Sequence, residues 1–155
     1  MIEPNQQGYF PYTPSTNLLY GLDEALNMLH AEGMDAVIQR HGRLAQATRL
    51  ALEAWGLENL CLNADEYSNS TTAVVLPEGH DADSLRAIIL ERFNMSLGMG
   101  LGKVKGKVFR IGHLGDFNDL MLAGTLAGVE MGLGLAAIPH NKGGVIAAMD
   151  YLASQ

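Results

Sequence analysis

A chain of 155 residues with 48% apolar content fits one domain and can bury roughly two thirds of its unfolded surface. Its formal net charge of −7 argues against a general nucleic-acid binder, which needs a basic face, and its lone cysteine, Cys61, excludes an internal disulfide but leaves the redox compartment open, with a reduced cytosol as the default. Charged residues make up only 17% of the chain, below the typical share of about 25%, so part of the surface is expected to lie under another domain or subunit.

In chain order, residues 1–16 read as an extended arm. Pro4, Pro11 and Pro14 forbid a helix interior and push the residues before them toward extended conformations. The first seven residues also lack the basic start and apolar run of a signal peptide. Helical spacing begins at Leu18 and continues through Leu19, Leu22, Ala25, Leu26 and Leu29, giving one apolar face that ends at Gly33. A second helix is predicted over 35–55, with Val37, Ile38, Leu44, Ala45, Ala51, Leu52 and Trp55 inward and Gly56 as its stop. The period then changes to strands at 57–62 and 71–76, the latter ended by Pro77. Asp81 caps a predicted helix over 82–93, whose buried stripe is Leu85, Ile88, Ile89 and Phe93. A marginal strand at 95–97, a glycine-rich turn and a strand at 107–111 follow. Asn118 caps the next helix, with Asp119 at its positive end, and 144–153 reads as a short closing helix.

Residues 120–138 carry a single charge, Glu130, and Gly124, Gly128 and Gly132 fall four apart, the spacing of closely packed membrane helices. Thr125, Gly134 and above all Glu130, which costs about 2.5–3.5 kcal/mol near a bilayer centre, speak against a span. A helix pressed closely onto a sheet is expected instead. Closely spaced strands without a helix between each pair make this an α+β chain: a small antiparallel sheet covered by helices, preceded by an extended arm and a long helix.

Few residues stand out as carriers of chemistry. Arg110 sits inside the apolar strand Val108-Phe109-Arg110-Ile111, and burying a guanidinium costs several kcal/mol unless an anion meets it. Its partner is therefore either a ligand carboxylate or phosphate, or an Asp or Glu elsewhere in the chain. Gly98-x-x-x-Gly102-Lys103 is one residue short of a phosphate-binding P-loop and has Val104 where Ser or Thr should hold magnesium, so these glycines read as a turn needing positive φ and close backbone approach. His30, His41, His80, His113 and His140 show no zinc-site spacing, and surface or capping roles are expected; His113, three residues after Arg110, is read as a neighbour of the same cleft. No nucleophile elbow or Cys–His pair is present, and no metal is expected.

The run Gly106-Lys107-Val108-Phe109-Arg110-Ile111-Gly112-His113-Leu114-Gly115, with Ser96-Leu97-Gly98-Met99-Gly100-Leu101-Gly102 before it, resembles the C-terminal domain of serine–glyoxylate and alanine–glyoxylate aminotransferases. Tyr9-Phe10-Pro11-Tyr12-Thr13-Pro14, Arg40-His41-Gly42-Arg43-Leu44 and Gly144-Val145-Ile146-Ala147-Ala148 carry the same resemblance, which runs from about Gly8 to the chain end but covers only the last part of the family's chain. It implies a class V, fold-type-I enzyme using pyridoxal 5′-phosphate (PLP), with an inter-subunit arm at 1–16 and the small domain at 17–155. It implies that Arg110 binds the α-carboxylate of the amino-acid substrate. It also implies that Tyr9 and Thr13 reach across a homodimer to the PLP phosphate of the neighbouring subunit, with Tyr12 as the alternative to Tyr9.

One departure matters. The family's catalytic residue is a lysine that forms a Schiff base with PLP, and it lies upstream of the arm in the large domain. Lys103, Lys105, Lys107 and Lys142 cannot replace it by position, so this chain contributes no catalytic residue and is expected to be inactive alone. Its partners are then amino-acid and 2-oxo-acid substrates, a homodimer mate and the missing large domain. Two alternatives stay open: a stand-alone amino-acid-binding or regulatory domain working through Arg110 without PLP, and one half of a split aminotransferase.

Overall fold

The computed structural model describes residues 2–154, which divide into two compact units, one up to Ile38 and the other from Gln39 onward. The first unit holds helix α1 (Ile2–Gln6), helix α2 (Thr16–Glu32) and the start of helix α3 (Met34–Trp55). α1 replaces part of the expected extended arm, because Pro4 falls in its first turn, where a missing N–H breaks no hydrogen bond. α2 ends as predicted at Gly33, whose φ of +87° suits glycine and whose N–H donates to the Leu29 carbonyl. No residue of α2 is buried, so the leucine face read from its spacing is not covered by this chain.

The second unit is built around a four-stranded antiparallel sheet in the order β1 (Glu58–Asn59), β2 (Thr71–Val75), β4 (Val108–Gly112), β3 (Gly98–Met99). The strand alternation sorts the side chains. Thr72, Val74, Phe109 and Ile111 are buried on the helix-covered face, while Thr71, Ala73 and Arg110 are only partly buried on the other. Helices α4 (Ala82–Phe93), α5 (Asp119–Leu135) and α6 (Gly144–Ala153) and the C-terminal part of α3 complete the core with Leu44, Leu52, Trp55, Leu85, Ile89, Leu126 and Leu133. The predicted caps are present: Asp81 accepts from the Ser84 N–H at 2.9 Å, and Asn118 from the Met121 N–H at 3.0 Å.

The structure departs from the sequence reading in four places here. β1 is only two residues long. β3 lies at Gly98–Met99 rather than 95–97, because the Leu97 side chain is in the core and its carbonyl accepts from Arg86 Nε at 2.8 Å instead of joining a ladder. Ile38, expected inward, is 59% exposed. The glycines of α5 press onto another helix and its exit rather than onto the sheet: a Cβ at Gly132 would meet Ile89 and one at Gly128 would meet Met95, while Gly124 faces open space. Among the described residues no helix is long and apolar enough to cross a membrane.

Glu130, the charge that argued against a membrane span, has a structural task. Its Oε2 accepts from Trp55 Nε1 at 2.7 Å and from the Val145 N–H at 3.1 Å, and its Oε1 accepts from the Gly143 N–H at 3.1 Å. α6 starts at a glycine N-cap without a side-chain cap, so Glu130 meets the orphan donors there. Burial pushes the Glu130 carboxyl upward, but the Trp55, Gly143 and Val145 donors, with help from His140, hold it below its ordinary value. A depressed folded-state value means the contribution is present above the unfolded carboxyl's range and is lost as pH falls through the folded value. Glu130→Gln should therefore lower stability at neutral pH by ~1–3 kcal/mol in urea unfolding, and the gap to wild type should close on acidification below about pH 4.3. A gap that stays constant to pH 3 (roughly one unit below that reference) would assign the loss to packing instead.

Candidate functional site

The site is organised by β4. Arg110 projects from the sheet face opposite the core, between Ala73 of β2 and Gly98 of β3, its cross-strand neighbours. Both neighbours are small, and a Cβ built on Gly98 would stand 3.0 Å from Arg110 Cβ and 3.1 Å from its Nε. Nε is buried without a hydrogen-bond partner, whereas Nη1 and Nη2 are neither fully buried nor engaged. Among the described residues Arg110 has no carboxylate partner; the ion pairs of this unit join Arg43 to Asp119 and Arg86 to Asp83. The internal ion pair that was one of the two readings of this arginine is thus not formed here. A partly buried guanidinium with a free terminal fork is chemically a receptor for a planar oxyanion.

The segment after β4 is tied down from α3. Arg40 Nη1 donates to the Gly115 carbonyl at 2.7 Å and to the Phe117 carbonyl at 3.1 Å, and the Gly115 N–H donates to His41 Nε2 at 3.1 Å. Arg43 forks onto both oxygens of Asp119 at 2.7 and 2.8 Å and reaches the Leu152 carbonyl at 2.9 Å. The Arg40-His41-Gly42-Arg43 run therefore fixes the loop that leaves the Arg110 strand and the start of α5.

His113 does not share the Arg110 face. Strand alternation places it with Phe109 and Ile111, fully buried, with Nε2 3.0 Å from Thr72 Oγ1 and Nδ1 3.2 Å from the Asn69 carbonyl oxygen. Burial, opposed in part by the Asn69 carbonyl, pushes its pKa down to about 4. Because the unfolded histidine takes up its proton first, stability should fall as pH drops from about 6.5 to 4, by roughly 3 kcal/mol at the full shift. His113→Gln should flatten that part of the stability–pH curve in urea unfolding at pH 7 and pH 5 (either side of the ordinary histidine value near 6.5); an unchanged slope would assign it to another group.

Tyr9, Tyr12 and Thr13 lie in the first unit, all exposed, Tyr9 by 68% and Tyr12 by 83%. Their hydroxyls make no internal hydrogen bond among the described residues and are free for an external acceptor. Lys103, Lys105, Lys107 and Lys142 are all exposed. The glycine turn is as tight as its sequence suggested: Gly102 and Gly106 take φ of +54° and +72°, and a Cβ at Gly100 would collide with the Val104 carbonyl. Two features escaped the sequence reading. One is Gly98, which was grouped with the turn. The other is Arg49, stacked 5.3 Å from the Tyr67 ring centroid with Nη1 buried and unpartnered; nothing in its helical spacing marks it.

Most of the length of the chain has counterparts among known proteins. No protein-family model matches the chain. Serine–glyoxylate aminotransferase of Arabidopsis thaliana is 52% identical over 145 residues, covering 93% of this chain and 36% of that protein. The enzyme of the same name from Hyphomicrobium methylovorum is 48% identical over 133 residues, covering 86% of this chain and 33% of that protein. The crystal structure of pyridoxamine–pyruvate aminotransferase from Mesorhizobium loti superposes with a TM-score of 0.87 at 33% identity, over 94% of this chain and 38% of that one.

The fold is that of the small domain of aminotransferases, whose complete enzymes use PLP. Over most of its length the chain is similar to class V enzymes of the serine–glyoxylate and alanine–glyoxylate aminotransferase family, matching their C-terminal part. It spans about a third of the length of the relatives it matches.

Proposed function

We propose that this chain is the small-domain portion of a serine–glyoxylate-type aminotransferase, with residues 1–16 as its inter-subunit arm. The complete protein would move the amino group of serine to glyoxylate, giving hydroxypyruvate and glycine. The observation that carries the reading is Arg110, a partly buried arginine with an orphaned Nε, no internal carboxylate and a free terminal fork. Two parallel N–H···O bonds from that fork would fix the substrate carboxylate and so orient the reacting Cα.

The residues of this chain fit one share of a PLP site. The unspent hydroxyls of Tyr9, or of Tyr12, and of Thr13 suit a phosphate dianion, which takes neutral O–H donors well. PLP, when bound, supplies the electron sink for amino transfer, and its carbonyl carbon needs a lysine amine. The four lysines here lie in the small-domain portion, whereas the resembled family carries that amine in its large domain, so the chain alone should be inactive. The exposed leucine face of α2 is consistent with burial against a large domain or a homodimer mate.

A chimera tests the proposal: this chain replaces the matching third of the Arabidopsis enzyme, and hydroxypyruvate formation from serine and glyoxylate is followed. Activity in the chimera and none in the isolated chain is the expected result. A folded, PLP-loaded chimera that uses another amino donor in preference to serine would overturn the substrate assignment. Saturable amino-acid binding by the isolated chain would favour a stand-alone sensor.

A further inference from the structure

We infer that Gly98 is a positioning residue for Arg110, the absence of its side chain setting the direction in which the guanidinium points. The inference rests on the reading of Arg110 as a carboxylate receptor and adds to it the residue that aims the fork. Gly98 pairs with Arg110 across β3 and β4, and directly opposed residues on one sheet face stand close enough for their side chains to touch. A Cβ at Gly98 would lie 3.0 Å from Arg110 Cβ, 3.1 Å from Nε and 3.5 Å from Cζ. The arginine arm therefore lies across the space that a side chain at this position would fill. Gly98 has no positive φ, unlike Gly102 and Gly106 in the adjoining turn, so its backbone would accept alanine and the tight contacts a Cβ would make there are all with Arg110.

The consequence is directional. Folding the arm over β3 buries Nε out of reach of water and of any acceptor, while Nη1 and Nη2 are left with the exposure a ligand needs. Ala73 on the opposite flank adds only a methyl group, so neither neighbour props the arm away from the sheet. A methyl at 98 would press on Cβ and Nε together, so the strand pair and the arm must both give by a few tenths of an ångström and the fork shifts from its present direction.

Side-chain NMR of the arginine Nε–H groups in this chain, with acetate as the carboxylate probe, tests the point. In the wild type the Arg110 Nε–H should exchange slowly, acetate should shift it together with the backbone amides of Phe109 and Ile111, and Arg110→Lys should raise the acetate Kd read from those backbone amides about tenfold or more. Gly98→Ala should speed Nε–H exchange and raise the acetate Kd by at least about fivefold, the lower end of what overpacking a close contact costs. Weaker acetate binding in Arg110→Lys with no change in Gly98→Ala would overturn the positioning role and leave the Arg110 reading standing. An acetate Kd unchanged in Arg110→Lys would overturn the Arg110 reading itself. Should Gly98→Ala not fold, the wild-type signal decides: an Arg110 Nε–H exchanging as fast as a solvated arginine would overturn the inference.

Discussion

Arg110→Lys in the chimeric aminotransferase should lower kcat/KM for serine by ~1.5–3 kcal/mol of transition-state stabilisation, roughly 10- to 150-fold. An ammonium keeps the charge but offers a compact point donor where a carboxylate needs two parallel bonds in one plane. The loss should appear with every amino donor, since the α-carboxylate is common to all of them. The same substitution should change the stability of the isolated chain by less than about 0.5 kcal/mol, because Arg110 forms no internal ion pair that the fold would lose. That contrast separates a receptor from a strut. Unaltered kinetics together with a loss of stability would return Arg110 to a structural role.

Gly144→Ala should be severely destabilising for the second unit. The added Cβ would collide with Trp55 Nε1, Cε2 and Cδ1, and Trp55 is 1% exposed in the middle of the core. The indole cannot retreat without giving up its hydrogen bond to Glu130, which also holds the start of α6 through Gly143 and Val145. Overpacking at ~1–3 kcal/mol and a weakened charge-assisted bond at ~1.5–3 kcal/mol together predict a loss near ~3–5 kcal/mol in urea unfolding. Trp55 is the sole tryptophan, so its emission should report the displacement directly. Gly124→Ala is the control. It lies in α5 facing open space, and replacing a helical glycine there should stabilise by ~0.5–1 kcal/mol. Equal stabilities for the two variants would mean that α6 is not seated against Trp55 as described.

Much of this architecture was legible in the chain because it depends on neighbours a few residues away. Asp81 and Asn118 cap their helices through donors two or three residues on, and Gly33 and Gly56 end theirs by taking positive φ. The β2 and β4 strands follow from their β-branched and aromatic residues, and Arg110 stood out because one cation in an apolar strand needs an explanation. The helix at Ile2–Gln6 was missed through a rule applied too widely: proline breaks a helix interior but is tolerated in the first turn.

What the chain by itself determined, then, was the order of helices and strands, their caps and stops, and the one arginine worth asking about. Tertiary structure decided the rest, since it turns on atoms far apart in sequence meeting at one place. His113 is three residues from Arg110 yet belongs to the core, because a strand sends neighbouring side chains to opposite faces and β2 supplies Thr72 on the buried one. β3 starts at Gly98 because Arg86, eleven residues earlier, takes the Leu97 carbonyl. Glycines that look alike in sequence then part company: Gly124 faces open space, Gly132 meets Ile89, Gly144 meets Trp55 and Gly98 meets Arg110. Local propensity cannot tell them apart, because a missing Cβ acquires meaning only from the atom that fills its place.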